Sequence, residues 1–134
     1  FIFYTIIWTL SEIKKHIRQL LCDYKKIEKQ LKKYEDALVY PQSSFSLYFE
    51  EKSNEKISLN QIVFHKFFLN TVEEVLSDAT SDVRDIFISK YKNGYPRKKN
   101  EIVAYETYLS LSTIKRRDSE FLEELARQLG WLEV

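Results

Sequence analysis

The sequence predicts an all-α protein: a long N-terminal heptad helix followed by a group of shorter C-terminal helices. Three observations carry this. Only two Gly and two Pro occur in 134 residues, too few for the tight turns of a sheet-rich fold. Apolar residues in the Lys-, Glu- and Leu-rich stretches recur at steps of three and four. Ser, Asn, Gly and Pro stand where those runs start and stop. The length suits one domain with an extension, and a 44% hydrophobic fraction with 15% aromatics can build a core. The expected division is an N-terminal oligomerisation helix over 1–40, a linker loop over 41–57 and a helical domain over 58–134.

Phe3, Leu10, Ile17, Tyr24, Leu31 and Leu38 occupy one set of heptad positions, and Ile6, Ile13, Leu20, Ile27 and Tyr34 the other. The helix starts at Phe3, or restarts after Leu10 with Ser11 as cap and Glu12 in the first turn. A seam of this kind packs along a partner helix, in a second subunit or in the middle of the same chain. Five heptads exceed what one helix of so small a domain can cover, which favours a homodimer. Its contacts would be Ile13, Ile17, Leu20, Tyr24, Ile27, Leu31, Tyr34 and Leu38. Pro41 ends the helix. Residues 42–56 are polar and Ser-rich and read as a loop, although Phe45, Leu47, Tyr48 and Phe49 give it apolar surface for docking.

Ser58 or Asn60 starts a helix running to about Ala79. Ile62, Phe64, Phe68, Val72, Val75, Leu76 and Ala79 form its broad apolar face, and Phe67 and Leu69 make its middle nearly apolar all round. Ser81 is the expected cap of the next helix, with Val83, Ile86, Phe87 and Tyr91 inward and Gly94 closing it in the left-handed conformation. Arg97, Lys98 and Lys99 then make a basic loop. Asn100 caps a short helix over 101–108 with Val103, Ala104 and Thr107 inward. Ser110 caps the last helix by accepting the N–H of Ser112 or Thr113. Ile114, Phe121, Leu122, Leu125 and Leu129 line its back, and Gly130 stops it. Ser112, Thr113 and Arg116 face away from that stripe, and Lys115 and Arg117 flank it. Short hydroxyls and basic side chains at a helix N-terminus suit base edges and phosphates. The same pattern also fits a capped surface helix with solvated charges. Asp118 points toward the apolar back and needs a partner.

Net charge is only +1, but its distribution is uneven. Residues 90–117 hold eight basic and two acidic side chains, a balance of +6, whereas 41–89 and 118–134 each carry −4. The positive field thus lies on the last helix and the loop before it. The expected DNA-contacting set is Arg97, Lys98, Lys99, Ser112, Thr113, Lys115, Arg116 and Arg117. Tyr91, Tyr95, Tyr105 and Tyr108 are expected to bury their rings and offer hydroxyls to phosphates; RNA binding by aromatic stacking is a weaker fit. A lone cysteine, Cys22, excludes an intramolecular disulfide and fits a reducing compartment. His16 and His65 are isolated, and no metal, cofactor or catalytic constellation is expected. The apolar opening FIFYTIIWTL is too short to span a bilayer and lacks a basic start, so neither membrane insertion nor a signal peptide is expected.

From Ser81 onward the order is helix, basic loop, short helix, tight turn, longer helix. Asp85-Ile86-Phe87, Tyr91, Gly94, Ala104 and the run Leu109-Ser110-x-Ser112-Thr113-Ile114-Lys115-x-Arg117 resemble a helix-turn-helix of the sigma-factor region-4 type, here over 81–130. The stretch LSEIKKHIRQLLCDYKKIEKQL resembles the N-terminal half of phage transcriptional activators of the RinA/ArpU type. The resemblance implies a sequence-specific DNA-binding activator of phage or prophage genes, in the cytoplasm of a bacterial host. Its partners would be double-stranded DNA, a second copy of the chain and host RNA polymerase. A DNA-packaging subunit, or a helical interaction protein mimicking a sigma-like domain, are the alternatives. Thr107 stands where the motif usually has Leu, and Tyr108 where the turn usually has Gly. An unchanged turn would therefore place a tyrosine at unfavourable positive φ.

Overall fold

A computed structural model describes residues 9–39, 58–95 and 97–132. The seam start at Phe3 and Ile6, the side chain of Leu38, the stop at Pro41, the linker over 42–56 and Pro96 lie outside the described residues. Within them the fold is all-α, with six α-helices: α1 (Leu10–Cys22), α2 (Tyr24–Val39), α3 (Leu59–Ser77), α4 (Ser81–Phe87), α5 (Asn100–Thr107) and α6 (Leu111–Gln128). A π-helical turn, Ile88–Lys92, continues α4. Among the described residues there is no strand. No helix of the described residues is long and apolar enough to cross a membrane.

The chain divides into two compact units, Phe1–Tyr24 with Thr71–Val134, and Lys25–Asn70. The division falls between Tyr24 and Lys25 and between Asn70 and Thr71, both within helices. The first unit is discontinuous in sequence. In it α1 packs on α6, where Lys14 donates to Ser119 Oγ at 2.6 Å and pairs with Glu123 at 2.8 Å. Ile17, Leu21, Ile114, Leu122 and Leu125 are completely buried. Tyr24 meets Phe87 edge-on at 5.2 Å, and Phe87 meets Phe121 edge-on at 6.0 Å. Ile86, Val103 and Ile114 form a cluster under Ala104 and Leu109, which seats α5 against α6. In the second unit Ile27, Leu31, Ala37 and Phe68 are buried, Phe64 stacks on Phe68, and Lys66 pairs with Glu35 at the surface.

Helix ends follow local chemistry, with several one- or two-residue corrections. Thr9, not Ser11, caps α1: its hydroxyl accepts from Glu12 N–H at 3.2 Å, and the Glu12 carboxylate accepts from Thr9 N–H. Ser58 and Gln61 make the equivalent reciprocal pair at α3. Thr80, not Ser81, is the cap position of α4, and Lys99, not Asn100, that of α5; neither makes a side-chain cap bond. The helical ladder breaks at Asp23, so the expected single long helix is two. The acidic C-terminal end of α3 is answered by Arg84, which donates to the carbonyls of Leu76 and Ser77 at 2.9 and 3.1 Å. Gly94 does not adopt positive φ, contrary to the expected left-handed closure. Glycine is needed there for space, since a Cβ would overlap the Lys90 carbonyl. Gly130 does have positive φ, at 79°, just beyond α6.

Tyr108 ends α5 at φ 61°, ψ 25°, the left-handed conformation that its place in the turn implies. Its side chain is 95% exposed, so no packing offsets the backbone cost. Left-handed backbone costs a residue with a Cβ about 1–2 kcal/mol. Tyr108→Gly is therefore expected to stabilise the fold by about 1 kcal/mol, the gain being reduced by glycine's greater freedom when unfolded. Urea unfolding of the two proteins checks this; a destabilised variant would mean that the ring makes a contact worth more than the strain.

Candidate functional site

The N-terminal turns of α6 are built from their cap outward. Ser110 Oγ accepts from Thr113 N–H at 3.2 Å and donates to Thr113 Oγ1 at 2.7 Å, with Ser112 Oγ 3.2 Å away. The back of the helix, from Ile114 through Phe121, Leu122 and Leu125 to Leu129, is buried. That leaves Ser112, Lys115 and Arg116 exposed on the front. Among the described residues neither Lys115 nor Arg116 makes an ion pair. Thr113 is half-buried, and its hydroxyl serves the cap. Arg117 is half-buried and donates to Glu120 at 3.0 Å, so it is committed to its own helix.

The basic loop separates in the same way. Arg97 (φ 63°) and Lys99 are exposed. Lys98 turns inward: its side chain is only 4% exposed, and its ammonium donates to the Ser89 carbonyl at 2.6 Å and to Glu106. The ammonium, followed by the Ser89 hydroxyl, holds the Glu106 carboxyl below its ordinary pKa. Lys98 thus ties the loop to the π-helical turn and to α5, a structural task that the sequence reading did not give it.

Asp118 finds the partners its position demands. It is buried on the inner side of α6. Tyr91 Oη donates to it at 2.6 Å, Lys90 Nζ donates at 3.0 Å, and an Arg18 guanidinium nitrogen stands at 3.7 Å. Adjacent Lys90 and Tyr91 both reach the carboxylate from the π-helical turn, which Asn93 N–H closes onto the Ile88 carbonyl at 2.8 Å. Burial, reinforced by the Asp118 charge and hydrogen bond, pushes the Tyr91 hydroxyl far above its ordinary pKa, so it remains a donor.

These groups border a cleft of about 390 Å³ lined by Arg18, Lys90, Lys98, Asn100, Lys115 and Asp118. Arg18, Lys90 and Asn100 are not among the DNA-contacting residues that the sequence predicts. Arg18 lies 97 residues from Lys115 along the chain, and no local pattern joins them. Three of the four tyrosines expected to bury their rings do not: Tyr91 is buried, but Tyr95, Tyr105 and Tyr108 are 54%, 84% and 95% exposed. Tyr95 instead offers its face to the Lys98 ammonium, 5.6 Å from the ring centre.

Of the seam residues, Ile13, Ile17, Tyr24, Ile27 and Leu31 are buried within this one chain, and Leu20 and Tyr34 are half-buried. Leu21, which the heptad skips, is completely buried. Partial desolvation, followed by the neighbouring Asp23 charge, raises the pKa of Cys22, although the residue is exposed. Among the described residues no group of three or more His, Cys, Asp or Glu is placed to hold a metal ion. No protein-family model matches the sequence, and no curated protein or solved structure proves similar to it.

Proposed function

We propose that this chain is a sequence-specific DNA-binding transcriptional regulator. In this reading α5, the turn at Tyr108 and α6 act as a helix-turn-helix of the region-4 type. The observation that carries it is the exposed trio Ser112, Lys115 and Arg116 at the start of a helix whose back is locked in the core. Such a helix is held rigidly enough to present a fixed set of donors to base edges. Arg116 is one helical turn from Ser112 and is the residue of choice for bidentate recognition of guanine. Exposed Lys99 and Arg97 lie in the preceding loop, suited to phosphates that fix register without reading sequence. Promoter activation through host polymerase is an extension of this reading that a reporter assay tests.

Selection of bound duplexes from a random pool provides the direct test. The full chain should enrich a defined site. Arg116→Ala should lose about 1–3 kcal/mol of discrimination at one position, whereas Lys99→Ala should weaken all sequences alike. No enrichment by the full chain, or an unchanged preference in Arg116→Ala, would remove α6 as the reading helix.

A further inference from the structure

We propose that the cleft bounded by α1, the π-helical turn, the loop before α5, and α6 is a binding site for a phosphate group. Four cations, Arg18, Lys90, Lys98 and Lys115, line it against one carboxylate, Asp118, and with Glu106, which pairs with Lys98 from outside the lining, two positive charges remain in surplus. Two of the four are built into the fold. The Lys90 side chain is 13% exposed and held by Asp118; the Lys98 side chain is held by Ser89 and Glu106. Each is paired with a carboxylate, so their ammonium groups are fixed in place and preorganise the cleft wall, while the net positive charge comes from Arg18 and Lys115.

The other two cations supply hydrogen-bond donors. Arg18 stands 3.7 Å from Asp118, beyond hydrogen-bond distance, with its side chain 44% exposed. Lys115 makes no ion pair among the described residues. The Asn100 side chain adds a neutral amide donor at the first residue of α5, the positive end of that helix. A guanidinium, an ammonium and an amide converging from three elements suit the several acceptor oxygens of a phosphate better than a single carboxylate. The group has two possible sources: the backbone of duplex DNA lying against α6, or a free phosphate compound. The first source rests on the DNA-binding reading; the second does not.

The experiment compares the full chain with Arg18→Gln and Lys115→Gln, whose side chains reach solvent, with unliganded melting of each variant to check the fold. The probes are a mixed-sequence duplex, titrated at several salt concentrations, and inorganic phosphate and pyrophosphate, followed by thermal shift against chloride at matched ionic strength. If the duplex backbone is the source, each variant lowers the salt slope of duplex binding by about one unit. If a free phosphate is the source, phosphate or pyrophosphate raises the melting temperature of the wild-type chain saturably, the variants lose that rise, and the duplex slope is unchanged. Both results uphold the site. Unchanged slopes together with no saturable phosphate effect overturn it, even if the chain binds duplex through α6. Saturable phosphate binding by a chain that binds no duplex keeps the site and removes the DNA-binding reading.

Discussion

Asp118→Ala is expected to destabilise the fold by about 3–5 kcal/mol, because it strips the counter-charge from the largely enclosed Lys90. Lys90 would keep its ammonium in a site 13% exposed with no carboxylate within reach, and the Tyr91 hydroxyl would lose its 2.6 Å acceptor. An unsatisfied buried donor alone costs about 1–3 kcal/mol. Asp118→Asn separates the two contributions: its amide oxygen can still accept from Tyr91 but brings no charge to Lys90 and Arg18. Urea unfolding at neutral pH should therefore order the proteins as wild type, Asn, Ala. A loss below about 1 kcal/mol in the Ala variant would mean that solvent reaches Lys90 and replaces the carboxylate.

Leu21→Ala is expected to cost about 2–5 kcal/mol, the range for truncating a fully buried leucine whose surroundings relax only in part. Leu21 lies on the helix that packs against α6 of the same chain. The loss should therefore be the same at every protein concentration, and the wild-type melting temperature should not move on dilution. A melting temperature that rises with concentration would show instead that the N-terminal helix owes its stability to a second copy. Melts over a hundredfold range of concentration, on both proteins, distinguish the two.

The contrast between Leu20 and Leu21 shows where the sequence stops being legible. A strict alternation of three and four residues selects Leu20, whereas the buried positions of α1 run Ile13, Ile17, Leu21. Two successive steps of four are what a straight helix of 3.6 residues per turn requires when it lies on a globular core; a 3.5-residue repeat belongs to a supercoiled pair. Composition could not distinguish these, because both leucines are apolar. The last helix was legible because its signals are local. The Ser110 cap, the stripe from Ile114 to Leu129, the stop at Gly130 and the need of Asp118 for a partner all follow from spacing within about twenty residues.

Which partner Asp118 takes was not legible, since Arg18 and Tyr91 arrive from distant segments. The direction of Lys98 was not legible for a related reason. A run of Arg97, Lys98 and Lys99 announces charge but not direction, and the middle side chain points inward to Ser89 and Glu106. The π-helical turn has no periodic signature either, yet it sets where Lys90 and Tyr91 fall.

The discontinuity of the first unit governs how the protein can be made. Lys14 meets Ser119 across a separation of 105 residues, so at ordinary elongation rates α1 leaves the ribosome about 5–20 s before its partner. During that interval the apolar face of α1 lacks α6, the helix it packs on most extensively. The unit therefore folds only after α6 has been synthesised, with Lys25–Asn70 carried as an insertion between its two parts. Ribosome-bound chains halted before α6 will expose Ile13, Ile17 and Leu21 to chaperones and proteases. A fragment beginning at α4 will carry the same fault in mirror image, with the bare flank of α6 open to water.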